Sequence, residues 1–98
     1  IKDTAEFRKA QLQYAYGMSL EKTGRIEEAE FQLKQIDKPY SNYNERLGLI
    51  QFLIRHDKRS EVKKILEEVY EEIQNMTNMN QKIYSSTIVE VEKLKASM

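Results

Sequence analysis

Cysteine and tryptophan are absent from these 98 residues, proline occurs once and glycine three times. Without cysteine there is no disulfide, no thiol nucleophile and no thiolate metal site, and the compartment stays open. Neither sign of charge is in excess, since sixteen basic residues face sixteen acidic ones. A balanced chain has no global attraction for phosphate backbones or anionic lipid, and no basic stripe with interleaved aromatics stands out, so nucleic acid and direct membrane contact are disfavoured as partners. No apolar run approaches the roughly 20 residues that span a bilayer, and no signal peptide is visible. The chain begins with Ile1 rather than Met, which we read as a piece of a longer protein whose membrane anchor could lie elsewhere.

What is present is a charged, helix-biased composition, with a third of the residues charged and many Glu, Lys, Leu and Gln. The length suits one small domain over 1–98 with a single core. Apolar spacings of three and four residues mark five helices. The first starts near Asp3 or Thr4, either able to cap it, and carries Phe7, Ala10, Tyr14 or Gln13, Gly17 and Leu20 along one side, with Tyr16 on the face of Gly17 and Leu20. Gly24 suits its left-handed C-terminal cap. The second runs over about 25–36 with Ile26, Ala29, Leu33 and Ile36 inward, and Glu27 and Glu28 favoured by the dipole at its start. Pro39 keeps 37–40 a loop. Asn42 and Glu45 have capping-box spacing for a third helix at 43–56, whose broad stripe of Leu47, Leu49, Ile50, Phe52, Leu53 and Ile54 predicts burial. A fourth helix at 59–75 presents Val62, Ile65, Leu66, Val69 and Ile73. Asn78 and Gln81 have the spacing to cap a fifth at 79–96, with Tyr84, Ile88, Val91 and Leu94 on one side.

The first hairpin recurs in the second at a fixed step of 33 residues: Tyr16 and Leu49, Leu20 and Leu53, Gly24 and Asp57, Ala29 and Val62, Leu33 and Leu66, Ile36 and Val69. A period in the low thirties predicts a stacked helical array: one repeat at about 5–37, a second at about 42–75, and the last helix at about 79–96 covering the end.

The stretch from Tyr16 to Leu33 resembles a tetratricopeptide repeat. Tyr16, Gly17, Leu20, Gly24, Ala29 and Leu33 stand at the motif's large, small and turn positions. Gln13 replaces the leading aromatic, and in the second repeat Ile50, Asp57 and Val62 replace the small residue, the turn glycine and the alanine. The resemblance covers residues 7–96 and implies an all-α, right-handed superhelix of two hairpins and a capping helix. The order of repeats, Pro-Tyr loop and final helix also resembles a group of bacterial membrane-anchored proteins of uncharacterised activity. In tetratricopeptide arrays the first helix of each hairpin lines a concave groove that binds protein segments. Carried over by motif position, that groove comprises Gln11, Tyr14, Met18, Glu21 and Lys22, then Asn44, Leu47, Gln51, Ile54 and Arg55, then Lys82, Ser86 and Val89. Tyr14, Met18, Tyr40 and Tyr43 are expected at the surface. Leu47 and Ile54 could instead pack against neighbouring helices, as could Tyr14 and Met18.

Candidate chemistry is sparse. His56, the one histidine, could be a phosphoacceptor, but a histidine at a helix C-terminus is also an ordinary turn residue, and Asp57, Lys58, Arg59 and Ser60 after it lack the glycine a phosphoacceptor motif favours. The pairs Glu27/Glu28, Glu67/Glu68 and Glu71/Glu72 point about 100° apart on helices and belong on wet faces, with no ligand beside them for a metal. Asn75-Met76-Thr77 fits the N-glycosylation pattern, which arises often by chance. We therefore expect no catalytic residue, metal or cofactor, and a scaffold that binds a peptide or helical protein segment. The alternative is a structural module that self-associates as a homo-oligomer through broad apolar faces such as Leu47–Ile54.

Overall fold

A computed structural model describes residues 4–97, with side chains from Arg8 onward; Asp3 and the Phe7 side chain lie outside the described residues. The chain is all-α, with no strand among the described residues: α1 (Thr4–Lys22), α2 (Ile26–Lys34), α3 (Tyr43–Arg55), α4 (Arg59–Gln74), α5 (Asn78–Ile83) and α6 (Ser85–Ser97). No helix among them is long and apolar enough to cross a membrane. α1 packs on α2 and α3, α2 on α3, α3 on α4 and α6, and α4 on α6. This places α1, α3 and α6 in one row and α2 and α4 in a second, and the 18 Å short dimension suits two helix layers.

The central α3 touches four other helices, which explains its wide apolar stripe: Leu49, Ile50, Phe52 and Leu53 are fully buried. They meet Leu20, Ala29 and Leu33 from the first hairpin and Val62, Leu66, Val69 and Val91 from the rest. Gly17 seats α2 against α1, since a Cβ there would stand 2.6 Å from Leu33 Cδ2. Its counterpart Ile50 is accommodated without exposure.

The 33-residue repeat reappears in backbone hydrogen bonds. Gly24 takes φ +84°, with its N–H donating to Glu21 O (3.0 Å) and the Arg25 N–H to Leu20 O (2.9 Å). Asp57 takes φ 58°, with its N–H donating to Ile54 O (3.1 Å) and the Lys58 N–H to Leu53 O (2.9 Å). Both helices thus end in the same left-handed cap, in which two outer amides satisfy carbonyls of the last turn.

Several expectations are corrected. Asn42 forms no capping box with Glu45: it adopts φ 54°, and its side chain donates to Ile36 O (3.1 Å). The cap of α5 falls one residue early, on Thr77, whose hydroxyl accepts from Asn80 N–H (3.2 Å). The fifth helix is two helices. Tyr84 packs edge-on against Tyr43, ring centroids 5.2 Å apart, and the chain turns there so that Thr87 and Val91 bury while α5 buries nothing. Tyr43, expected at the surface, is buried, whereas Tyr40 is exposed. Tyr16, expected inward, is exposed, because no helix among the described residues packs on that side of α1.

Glu72 is not on a wet face. Its carboxylate accepts from buried Arg46 through Nη1 at 2.7 Å and Nη2 at 3.2 Å, and from the Tyr40 N–H at 2.7 Å. Arg46 also donates through Nε to Asp37 (3.0 Å) and through Nη1 to Ser41 O (3.3 Å). One buried guanidinium therefore pins the inter-repeat loop to α3 and α4. Burial alone would raise the Glu72 pKa, but Arg46 and the Tyr40 amide outweigh it and hold the carboxyl below its usual range. Burial, helped by the adjacent Glu72 charge, pushes the Tyr43 phenol up to about 12.

Candidate binding face along three parallel helices

Four contacts orient the first row. Tyr14 of α1 lies on Gly48 of α3, where any side-chain methyl would overlap its ring. Seven residues on in each helix, Glu21 accepts two hydrogen bonds from Arg55, 2.9 Å from Nε and 2.7 Å from Nη2. Pairing in the same direction along both chains means that α1 and α3 run parallel. Near the start of α3, Asn44 Oδ1 accepts from the Thr87 hydroxyl of α6. At the other end Ile54 shares a cleft of about 260 Å³ with Leu94 and Ser97, beside Val62 and Arg59 of α4. Hence α3 and α6 are parallel too.

The residues that motif position assigns to a groove fall along this row, in different states. Gln11, Lys22, Asn44 and Gln51 are exposed, and Ile54 is 40% exposed. Tyr14, Met18 and Leu47 are half-buried and pack against the core, so Tyr14 and Met18 are not free surface anchors. Arg55 and Asn44 are engaged by Glu21 and Thr87. Val89 is 47% exposed and Ser86 exposed on α6, whereas the bend at Tyr84 carries Lys82 off onto α5.

The electrostatics are local. Arg55 holds the Glu21 carboxyl below its usual range against partial burial, with help from His56, whose Nε2 lies 2.7 Å from Glu21 Oε2. The His56 ring tilts on Phe52 at 4.6 Å. The histidine thus ties the ends of α1 and α3 together. Among the described residues no three His, Asp or Glu side chains gather as metal ligands.

No protein-family model matches this chain, and no curated protein or solved structure shows detectable similarity to it.

Gly48, Arg46 and Glu72 escape a reading of motif positions, and each leaves a trace in the sequence. Gly48 is an isolated glycine inside an apolar helix, a sign of close approach. Arg46 lies between Tyr43 and Ile50 on the inward side of α3, and Glu72 continues the inward series Ile65, Val69 on α4, so the two charges share the core side of their helices. Glu21 is one of the motif positions, but its pairing with Arg55 leaves no local signal, because that partner lies 34 residues away.

Proposed function

We propose that this chain is a tetratricopeptide-like, right-handed helical stack that serves as a protein-interaction scaffold, receiving a helical or extended segment of another protein along α1, α3 and α6. The observation that carries this reading is the row itself. Three parallel helices offer exposed Gln11, Gln51 and Val89, and end in the apolar cleft beside Ile54. That cleft is smaller than the roughly 300–1,000 Å³ of small-molecule sites, which suits one apolar side chain of a peptide better than a cofactor. Amide side chains around an apolar anchor point fit a segment that needs both burial and backbone hydrogen bonds.

Peptides selected on the immobilised protein from a random-sequence display library test this. Ile54→Ala and Gln51→Ala are expected to weaken the selected peptides by about tenfold, near 1.4 kcal/mol. Phe31→Glu, at an exposed site on α2 in the other row, is expected to leave them unchanged. No enrichment, or equal weakening by Phe31→Glu, would remove the groove reading.

A further inference from the structure

The outer side of α1 carries a stripe that no other helix among the described residues covers. Arg8, Lys9, Leu12, Ala15, Tyr16 and Ser19 are all exposed, Leu12 at 65% and Tyr16 at 54%. On α3, one repeat later, the counterparts of Ala15, Tyr16 and Ser19 are Gly48, Leu49 and Phe52, and these are buried where the first hairpin packs on α3. The same helix side is thus covered in one repeat and bare in the other.

The stripe is self-complementary about Leu12. An antiparallel copy centred there sets Leu12 on Leu12, each Arg8 guanidinium over Tyr16 of the second copy, and each Lys9 beside the small Ala15 of the second copy. A guanidinium over a phenol ring is attractive, and a small residue opposite a long one lets the helices close. Charge selects the direction. Parallel pairing would oppose Arg8 to Arg8. The antiparallel arrangement separates the two guanidinium positions by about eight residues of helix, roughly 12 Å, beyond a Debye length at physiological salt.

We infer that this outer stripe of α1 pairs with the same stripe on a second copy of the chain, antiparallel about Leu12, to form a two-fold dimer. The contact is isologous and closes on itself. A seam of one helix per copy is small, so the dimer is transient and fills at high concentration. Gln11, Tyr14 and Met18 lie about a third of a turn further round α1. The dimer therefore leaves the first row open, and the pairing stands or falls independently of any groove ligand.

The absence of cysteine makes the test clean. Light-scattering mass of the unaltered chain, followed up to about 1 mM, is expected to rise from one chain toward two. Leu12→Glu, an exposed change, is expected to keep the mass at one chain without altering the melting curve measured at low concentration. Leu12→Cys is expected to cross-link on mild oxidation into a covalent dimer at least tenfold faster than Ser60→Cys on α4, because only a two-fold axis at residue 12 brings like thiols together. A mass fixed at one chain throughout, a dimer that survives Leu12→Glu, or equal cross-linking of the two cysteine variants would each overturn the pairing.

Discussion

Gly24 and Asp57 do the same work at equivalent turns with unequal ease. Both residues take positive φ, and a Cβ at Gly24 would meet nothing within 4 Å, so any cost of adding one is conformational rather than a clash. A non-glycine residue in the left-handed region loses roughly 1–2 kcal/mol, less for Asp. Gly24→Ala is therefore expected to lower stability by about 1 kcal/mol, and Asp57→Gly to raise it by about 0.5 kcal/mol, both read from urea midpoints at unchanged slope. The contact from Arg59 Nε to Asp57 is 3.3 Å long and exposed on both sides, so its loss should not offset the gain. If Asp57→Gly brings no gain, that exposed contact is stronger than its geometry implies.

At the scale of elements, the join between the two hairpins depends on Arg46 and Glu72. Removing Glu72 takes two hydrogen bonds from the buried Arg46 guanidinium and leaves it only Asp37 and the Ser41 carbonyl. Glu72→Ala is thus expected to cost about 3–5 kcal/mol in denaturant melts, and adding Arg46→Met is expected to recover part of it. Losing less than 1 kcal/mol would mean that water reaches the guanidinium. This join also marks where the sequence ceased to be legible. The first four helical segments and the turn at Gly24 could be read because periodicity and glycine act locally, within a turn or two of helix. Arg46 and Glu72 meet across 26 residues, and a charged residue taken alone reads as solvated. The break at Tyr84 has no glycine or proline to announce it; it arises because Tyr84 packs on Tyr43, a partner 41 residues away. Tyr16 was misplaced for a related reason, since its spacing specifies a face but not whether another helix lies against it. The candidate face divides the same way: the resemblance in motif position implies one row for Gln11, Gln51 and Ile54, while the engagement of Asn44 by Thr87 and Arg55 by Glu21 needed the packed molecule.

For the whole molecule, the same carboxylates predict how stability depends on pH. Glu21 and Glu72 both have folded pKa values below the ordinary 4.5, so the folded chain favours their charged forms. Their contribution is fully present above that value and is lost as pH falls through the depressed folded values. Tyr43 acts in the opposite sense: raised from 10 to about 12, it contributes fully below 10 and loses that contribution as pH rises toward 12. Melting temperature is expected to hold from pH 6 to 9 and to decline on both sides. Tyr43→Phe should flatten the alkaline decline, and an unaltered decline would mean that the phenol is not the group responsible. The neighbour-to-neighbour order of packing has a kinetic consequence as well. Taking α5 and α6 as one bent helix, the main contacts join helices one or two places apart along the chain, so each step of assembly closes only a short loop and folding should be fast. Under tension applied at its two ends, such a chain would open one hairpin at a time, with the guanidinium of Arg46 clasping the loop between them to α3 and α4.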